Sequence, residues 1–266
     1  VARMALDLSD GWSLFPLGGN TGTAYMGTKA SQKVFLKQNA SPFLAALSME
    51  GITPRLVWTK RLASGDVMTA QEWLNGRTLH RQEMREQRVA RLLHRVHHSQ
   101  LLHDMLLKVG GRFTTPAQLL TQLRPALAAD LAQHPLIQSA FASLETEQPQ
   151  LTKAHYEVCH SDLNHKNWLL SDRQRLYLVD WDAATFADPA FDLGALLCEY
   201  VPLEEWRRWL LDYGETLTSE LIARVNWYAR VHCLRVIAES YHQQRFQIMN
   251  QHLILLEKLT RESVTD

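Results

Sequence analysis

The stretch HSDLNHKNWLLSDRQRLYLVDWD, from His160 to Asp182, decides how this chain reads. Asp162 stands five residues before Asn167, and a short apolar segment, Trp168 to Leu170, runs into the polar cluster Ser171 to Arg175. A second apolar segment, Leu176 to Val179, ends on Asp180. Two short β-prone runs around a polar turn predict a hairpin. If Leu170 sits opposite Leu176 in an antiparallel pair, Asn167 falls opposite Val179, one residue from Asp180. An amide oxygen and a carboxylate then meet at one end of the hairpin, with Asp162 just upstream. Mg²⁺ prefers hard oxygen donors and fills its remaining positions with water and phosphate oxygens. The stretch therefore reads as a metal–nucleotide site beside a catalytic carboxylate.

Asp162-x-x-x-x-Asn167 followed by Asp180 resembles the catalytic and metal loops of kinase-fold enzymes. The form His-Ser-Asp-x-x-x-x-Asn, with Val-Asp-Trp-Asp and then Asp-Pro-x-x-Asp-Leu at 188–193, is similar to the aminoglycoside phosphotransferase and choline kinase family. It is most similar to the small bacterial phosphotransferases described as cell-cycle regulators. Ser161 stands where that family usually has glycine. The resemblance implies an α+β, two-lobed protein-kinase-like fold. Its small antiparallel β-rich N-lobe spans 1–76 with a hinge at 71–76, and its larger, mostly helical C-lobe spans 77–266. It further implies ATP- and Mg²⁺-dependent transfer of the γ-phosphoryl group to a hydroxyl of a small molecule, whether sugar or ribosyl, choline-like or an aminoglycoside. The cell-cycle branch admits a protein partner in division as well. In these roles Asp162 orients the acceptor hydroxyl, Asn167 and Asp180 hold Mg²⁺, and His160 is scaffold.

Upstream, WSLFPL, KVFLK, LVWTKRL and DVMTAQEWL read as strands of an antiparallel sheet, with GGNTGTAYMG as a Gly- and Thr-rich turn. Ser41-Pro42 opens a short helix that Gly51 closes. Gly18, Gly19, Asn20, Thr21 and Gly22 could lay backbone N–H groups over nucleotide phosphates. Lys37 ends a strand where kinase-like proteins place the lysine that pairs with the α- and β-phosphates, and Glu50 is its expected partner, with Glu72 the competitor. From Thr78 the chain turns helical, with Met84, Val89, Leu92, Leu93 and Val96 at helical spacing. His97 is expected beneath the catalytic loop, and His94 and His98 in solvent. The segment 112–150 reads as helical. Asp188-Pro189 forms a turn, Asp192 caps the helix LGALLCEY, and Asp182 points away from Asp180 as a second-rank metal candidate. The aromatic residues between 203 and 262 are assigned to core.

The 266 residues suffice for a substantial core, and a formal net charge of zero argues for neither a nucleic-acid nor a membrane partner. Three widely spaced cysteines suit a reducing compartment. No apolar run is long enough to span a bilayer, and the opening VARMALDLSD lacks the apolar core of a signal peptide, so the expected location is cytoplasmic. Two rival readings stand beside the kinase. One is a metal-dependent hydrolase using His155, His160, Asp162, His165, Asp180 and Asp182; it leaves Lys37 and Asn167 without a role. The other is a nucleotide-sensing regulator that acts through protein contacts.

Overall fold

The computed structural model describes residues 11–17 and 24–262. Five antiparallel strands, β1 (Ser13–Pro16), β2 (Ala24–Lys29), β3 (Gln32–Gln38), β4 (Leu56–Arg61) and β5 (Val67–Glu72), form a sheet in the order β1-β2-β3-β5-β4. Alternation places Val34 and Leu36 of β3 and Met68 and Ala70 of β5 inward, where they join Tyr25 and Leu62 in a small separate core. Helix α1 (Phe43–Met49) sits between β3 and β4, and its first N–H, from Phe43, donates to Ser41 Oγ at 3.2 Å.

The sequence pattern places residues 18–27 in one turn, whereas β2 already begins at Ala24. The Gly- and Thr-rich composition hid the strand, whose pairing to β3 runs from Ala24↔Lys37 to Lys29↔Gln32 and buries Tyr25. Gly18, Gly19, Asn20, Thr21 and Gly22 lie outside the described residues.

After a short strand β6 (Gly76–Thr78) the chain is mainly helical. It runs through α2 (Gln87–His97), α3 (Gln100–Lys108), α4 (Pro116–Ala126), α5 (Ala129–Ala132) and α6 (Pro135–Thr146) to strand β7 (Glu157–Cys159). Strands β8 (Trp168–Ser171) and β9 (Leu176–Leu178) form the expected hairpin, and its register pairs Leu170 with Leu176 as predicted. Val179 N–H donates to Asn167 O at 2.9 Å, so the ladder extends to the site end of the hairpin. Strand β10 (Thr185–Ala187) pairs with β7. Four helices follow: α7 (Pro189–Tyr200), α8 (Trp206–Tyr213), α9 (Ser219–His242) and α10 (Phe246–Glu262). None of the helices is long and apolar enough to cross a membrane among the described residues.

The cap of α7 is Asp188, whose Oδ1 accepts from Ala190 N–H at 3.0 Å; the sequence pattern had pointed to Asp192 instead. Starting the helix at Pro189 moves Asp192 into its first turn, fully buried and free for another role.

One large core fills the helical part, with α9 at its centre against α7 and α10. Of the aromatic residues assigned to core, Trp206, Trp209, Tyr213, Trp227 and Tyr228 are buried, whereas Tyr241 is only half-buried and Phe246 is exposed. Indole N–H groups find carbonyls in that core, Trp227 on Leu144 O at 2.9 Å and Trp209 on Met84 O at 3.2 Å, as buried indoles usually do. The α7–α9 contact is close because Gly194 has no side chain. A Cβ there would come within 2.7 Å of Ala229 N and 3.0 Å of Val225 O, both backbone atoms that cannot swing aside. Replacing Gly194 by Val should therefore lower stability by about 1–3 kcal/mol through overpacking. A denaturant midpoint unchanged from wild type would contradict that packing.

Candidate active site

The loop between β7 and β8 is fixed by one buried carboxylate. Asp192 Oδ2 accepts from His160 N–H at 2.7 Å and Oδ1 from Ser161 N–H at 2.9 Å. His97 Nε2 meets the same Oδ2 at 3.1 Å, while its Nδ1 meets the Tyr213 hydroxyl at 2.8 Å. Burial alone would push the Asp192 carboxyl up, but the hydrogen bond from His97 and the charges and N–H groups around it outweigh burial and hold it below the usual carboxylate range. His97 thus lies under the loop, as the sequence suggested.

His160 is buried and spends both ring nitrogens on backbone: Nε2 donates to Val179 O at 2.9 Å and Nδ1 accepts from Asp162 N–H at 3.2 Å. It ties the loop to the hairpin and offers no lone pair to a metal. His155 Nδ1 faces Thr152 and His165 lies against Tyr200. The ligand set of the hydrolase reading is therefore not assembled among the described residues.

Asn167 Nδ2 donates to Asp162 O at 2.9 Å and to Asp162 Oδ2 at 3.2 Å. That bond orients the amide and leaves its oxygen as the group available to a cation. Asp180, at the end of the hairpin, sits in the left-handed region with φ of 65°. Lys37 Nζ reaches across from β3 to lie 3.7 Å from Asp180 Oδ1 and 2.8 Å from both oxygens of Asp182. Two expectations change here. Asp182 turns toward the site rather than away. Glu50, the expected partner of Lys37, instead accepts from Ser99 Oγ at 2.9 Å. The reason is position: Glu50 follows the last turn of α1, where Arg95 holds its carbonyl oxygen and Ser99 its carboxylate, on the α2–α3 side.

Lys37, Asp162, Asp180 and Asp182 line a cleft of about 580 Å³ beneath the sheet. Its far wall is the chain leaving β5, Glu72 to Leu74, and its floor includes Phe43 and Leu47 of α1. A second cavity of about 320 Å³ opens on the other side of the loop, walled by Arg81, Glu199, Tyr200, His232, Arg235 and Glu239. Among the described residues, Asp162 alone lines both.

The second cavity was not read from the sequence. Glu199 is its organising group, with Oε1 accepting from His232 Nε2 and His252 Nε2, each at 3.1 Å. Burial pushes the Glu199 carboxyl up, yet the two imidazoles hold it far below its ordinary range. These residues come from α7, α9 and α10, so no local spacing announces them. The one usable signal was the acid in LGALLCEY, next to the last residue of a helix otherwise apolar there.

Ser161 has φ of 69°, a conformation that explains why a glycine suits this position and that costs a non-glycine residue roughly 1–2 kcal/mol. The amides on either side of that bend are both held, Ser161 N–H by Asp192 and Asp162 N–H by His160 Nδ1. Replacing Ser161 by Val should destabilise the protein by at least about 1 kcal/mol, whereas replacing it by Gly should leave stability within about 1 kcal/mol of wild type, strain relief offsetting lost chain stiffness. Equal denaturation midpoints for the Val and Gly variants would refute the left-handed assignment.

Comparison with known proteins bears on the family and the fold. Residues 27–228 match the family model described as "Phosphotransferase enzyme family". Protein LicA of Haemophilus influenzae is 26% identical over 223 residues, which cover 81% of this chain and 70% of that protein. Among solved structures, the choline kinase LicA of Streptococcus pneumoniae superposes with a TM-score of 0.61 at 17% identity, covering 94% of this chain and 93% of that one. The GDP complex of aminoglycoside 2'-phosphotransferase-IIIa superposes at 0.60 with 16% identity, over 94% and 93% of the two chains. At those identities the superpositions show a shared protein-kinase-like fold, while the family match spans most of the sequence. The chain belongs to the phosphotransferase enzyme family.

Proposed function

We propose that this protein transfers the γ-phosphoryl group of Mg-ATP to a hydroxyl of a small polyhydroxylated acceptor, of the sugar or ribosyl kind. The observation that carries the reading is the place of Asp162, the side chain common to a deep cleft and to a polar cavity. A donor in the first and an acceptor in the second would meet at its carboxylate.

The residues present fit a magnesium nucleotide. The Asn167 amide is turned by its bonds to Asp162 so that its oxygen is free. The Asp180 and Asp182 side chains are 54% and 61% exposed, so their oxygens remain open to a cation. Asn167 and Asp180 would hold the metal, and bound Mg²⁺ would offset charge on the phosphates as it shifts toward the leaving group. Lys37 now has its charge answered by Asp182 and Asp180, and those carboxylates stand in the place phosphate oxygens would take. The stretch Gln71 to Gly76, leaving the sheet beside the cleft, serves as the hinge. Asp162 accepts a hydrogen bond from the acceptor hydroxyl, aligns its oxygen for in-line attack, and takes its proton as the new bond forms.

The acceptor class follows from what lines the second cavity. A quaternary ammonium needs open aromatic faces, and the Tyr200 ring is already covered by the Arg81 guanidinium at 4.7 Å. A polycationic aminoglycoside needs a large surplus of carboxylates, whereas Arg81, Arg235 and Arg245 nearly balance Asp162, Asp192, Glu199 and Glu239. Mixed donors and acceptors of this kind suit several hydroxyl groups.

A phosphate-transfer screen with Mg-ATP against sugars and nucleosides, choline and ethanolamine, and aminoglycosides tests the reading. Transfer to the first group with little to the others is expected; transfer only to choline or only to aminoglycosides would overturn the acceptor assignment. Replacing Asp162 by Asn should lower turnover by about 10²–10⁴ with nucleotide affinity little changed, and replacing Asp180 by Ala should abolish Mg²⁺-dependent nucleotide binding. A full-rate Asp162→Asn enzyme would remove Asp162 from its role.

A further inference from the structure

A cluster remote from both cavities joins the last turns of α2 to the chain just beyond α8. His94 and His98, one helical turn apart, present stacked rings with centroids 3.9 Å apart and planes within 20°. Gly214 ends α8 in the left-handed region, φ 111°, and this reversal carries Glu215 back over the two rings. Glu215 Oε1 then lies 2.8 Å from His98 Nε2 and 3.8 Å from His94 Nε2. The sequence could assign these histidines only to solvent, because their carboxylate partner is more than a hundred residues away.

We propose that His94, His98 and Glu215 form a binding site for a divalent transition metal of the zinc class. Four-coordinate zinc, with bonds of roughly 2.0–2.2 Å to imidazole nitrogen and carboxylate oxygen, needs ligand atoms roughly 3.3 Å apart. The two separations from Glu215 lie on either side of that value. His98 is already oriented as a ligand, since its Nδ1 donates to the His94 carbonyl at 2.8 Å and turns Nε2 to the cluster, where the proton it shares with Glu215 Oε1 at 2.8 Å is the one a metal would displace. An imidazole held through its other nitrogen is the usual arrangement at protein metal sites. His94 is steadied by the edge of Tyr213, with ring centroids 5.0 Å apart. Two imidazoles and one carboxylate leave a coordination position for water, and this nitrogen-containing set favours zinc, cobalt, nickel or copper over magnesium.

Two other groups of metal-type side chains do not share these properties. His97, Cys159 and Asp192 are wholly buried, and Asp192 is committed to the loop. At Glu199, His232 Nδ1 accepts from Arg235 at 3.1 Å, which requires the proton on Nε2 and removes the lone pair a metal would need.

The site rests against Tyr213, which bonds His97, so a bound metal would pin the 213–215 turn to the helix that supports the catalytic loop. The test is titration of chelator-stripped protein with Co²⁺, followed by visible absorption and by Zn²⁺ competition, with Mg²⁺ in excess to fill sites made of oxygen alone. One equivalent should bind with the absorption bands of a low-coordinate nitrogen–oxygen site, and Zn²⁺ should raise the melting temperature. His98→Ala and Glu215→Gln should each weaken binding by about tenfold or more, while His252→Ala should bind as wild type does. Glu215→Gln decides the matter if circular dichroism shows that His98→Ala is misfolded. Wild-type affinity in Glu215→Gln, loss of binding in His252→Ala instead, or no Co²⁺ uptake by wild type would each overturn the site.

Discussion

The grip of Asp192 on two consecutive backbone N–H groups is the constraint on which the site depends. Asp192 takes the His160 and Ser161 amides together, and the left-handed Ser161 that follows redirects the chain into Asp162, which lines both cavities. Asp192 makes these bonds almost wholly out of solvent, buried at the inner edge of the second cavity. A buried anion with several hydrogen bonds is stable where it stands, but removing its partners, or its charge, is costly. The buried His97 and Tyr213 complete the chain of support, so the position of a cleft residue is set by groups that never touch the cleft.

The second determinant is the meeting of charges contributed by separate parts of the chain. Lys37 comes from the sheet and Asp180 and Asp182 from the end of the hairpin, and their pairing holds the sheet over the helical part. These side chains are only partly covered, so the pairing is screened and modest in energy. Weak closure suits the proposed role, in which the cleft must admit a nucleotide and release it. Glu199 is different: it is enclosed by His232 and His252 and gives the second cavity a fixed wall.

Local features of the fold were legible in the sequence. The hairpin register followed from a polar turn between two short apolar runs, and Leu170 meets Leu176 as that pattern required. Lys37 was singled out through the resemblance to kinase-like proteins, at the end of the run KVFLK, and β3 continues one residue beyond it to Gln38. Strand β2 was missed because glycine and threonine outweighed the signal of Tyr25 and Met26, and its pairing with β3 supplies what local preference lacks. Partners distant in sequence were harder. The choice of Asp182 over Glu50 for Lys37 depends on how the hairpin end faces the sheet. Asp192 resembled a helix cap because a carboxylate in a first turn looks the same whether it caps its own helix or another segment. Glu199, His232 and His252 lie on three helices and are joined only by packing.

The most direct test of this dependence is the ratio of turnover to nucleotide affinity when Asp192 is replaced by Asn in the full chain. An amide of equal size keeps the packing but can accept at only one oxygen, so one loop N–H loses its partner. Phosphate transfer should fall by about 10–100-fold, the effect of misplacing a reacting group by about an ångström, while Mg-ATP binding through Lys37, Asn167 and Asp180 stays close to wild type. Full transfer rate in a folded Asp192→Asn protein would contradict the account.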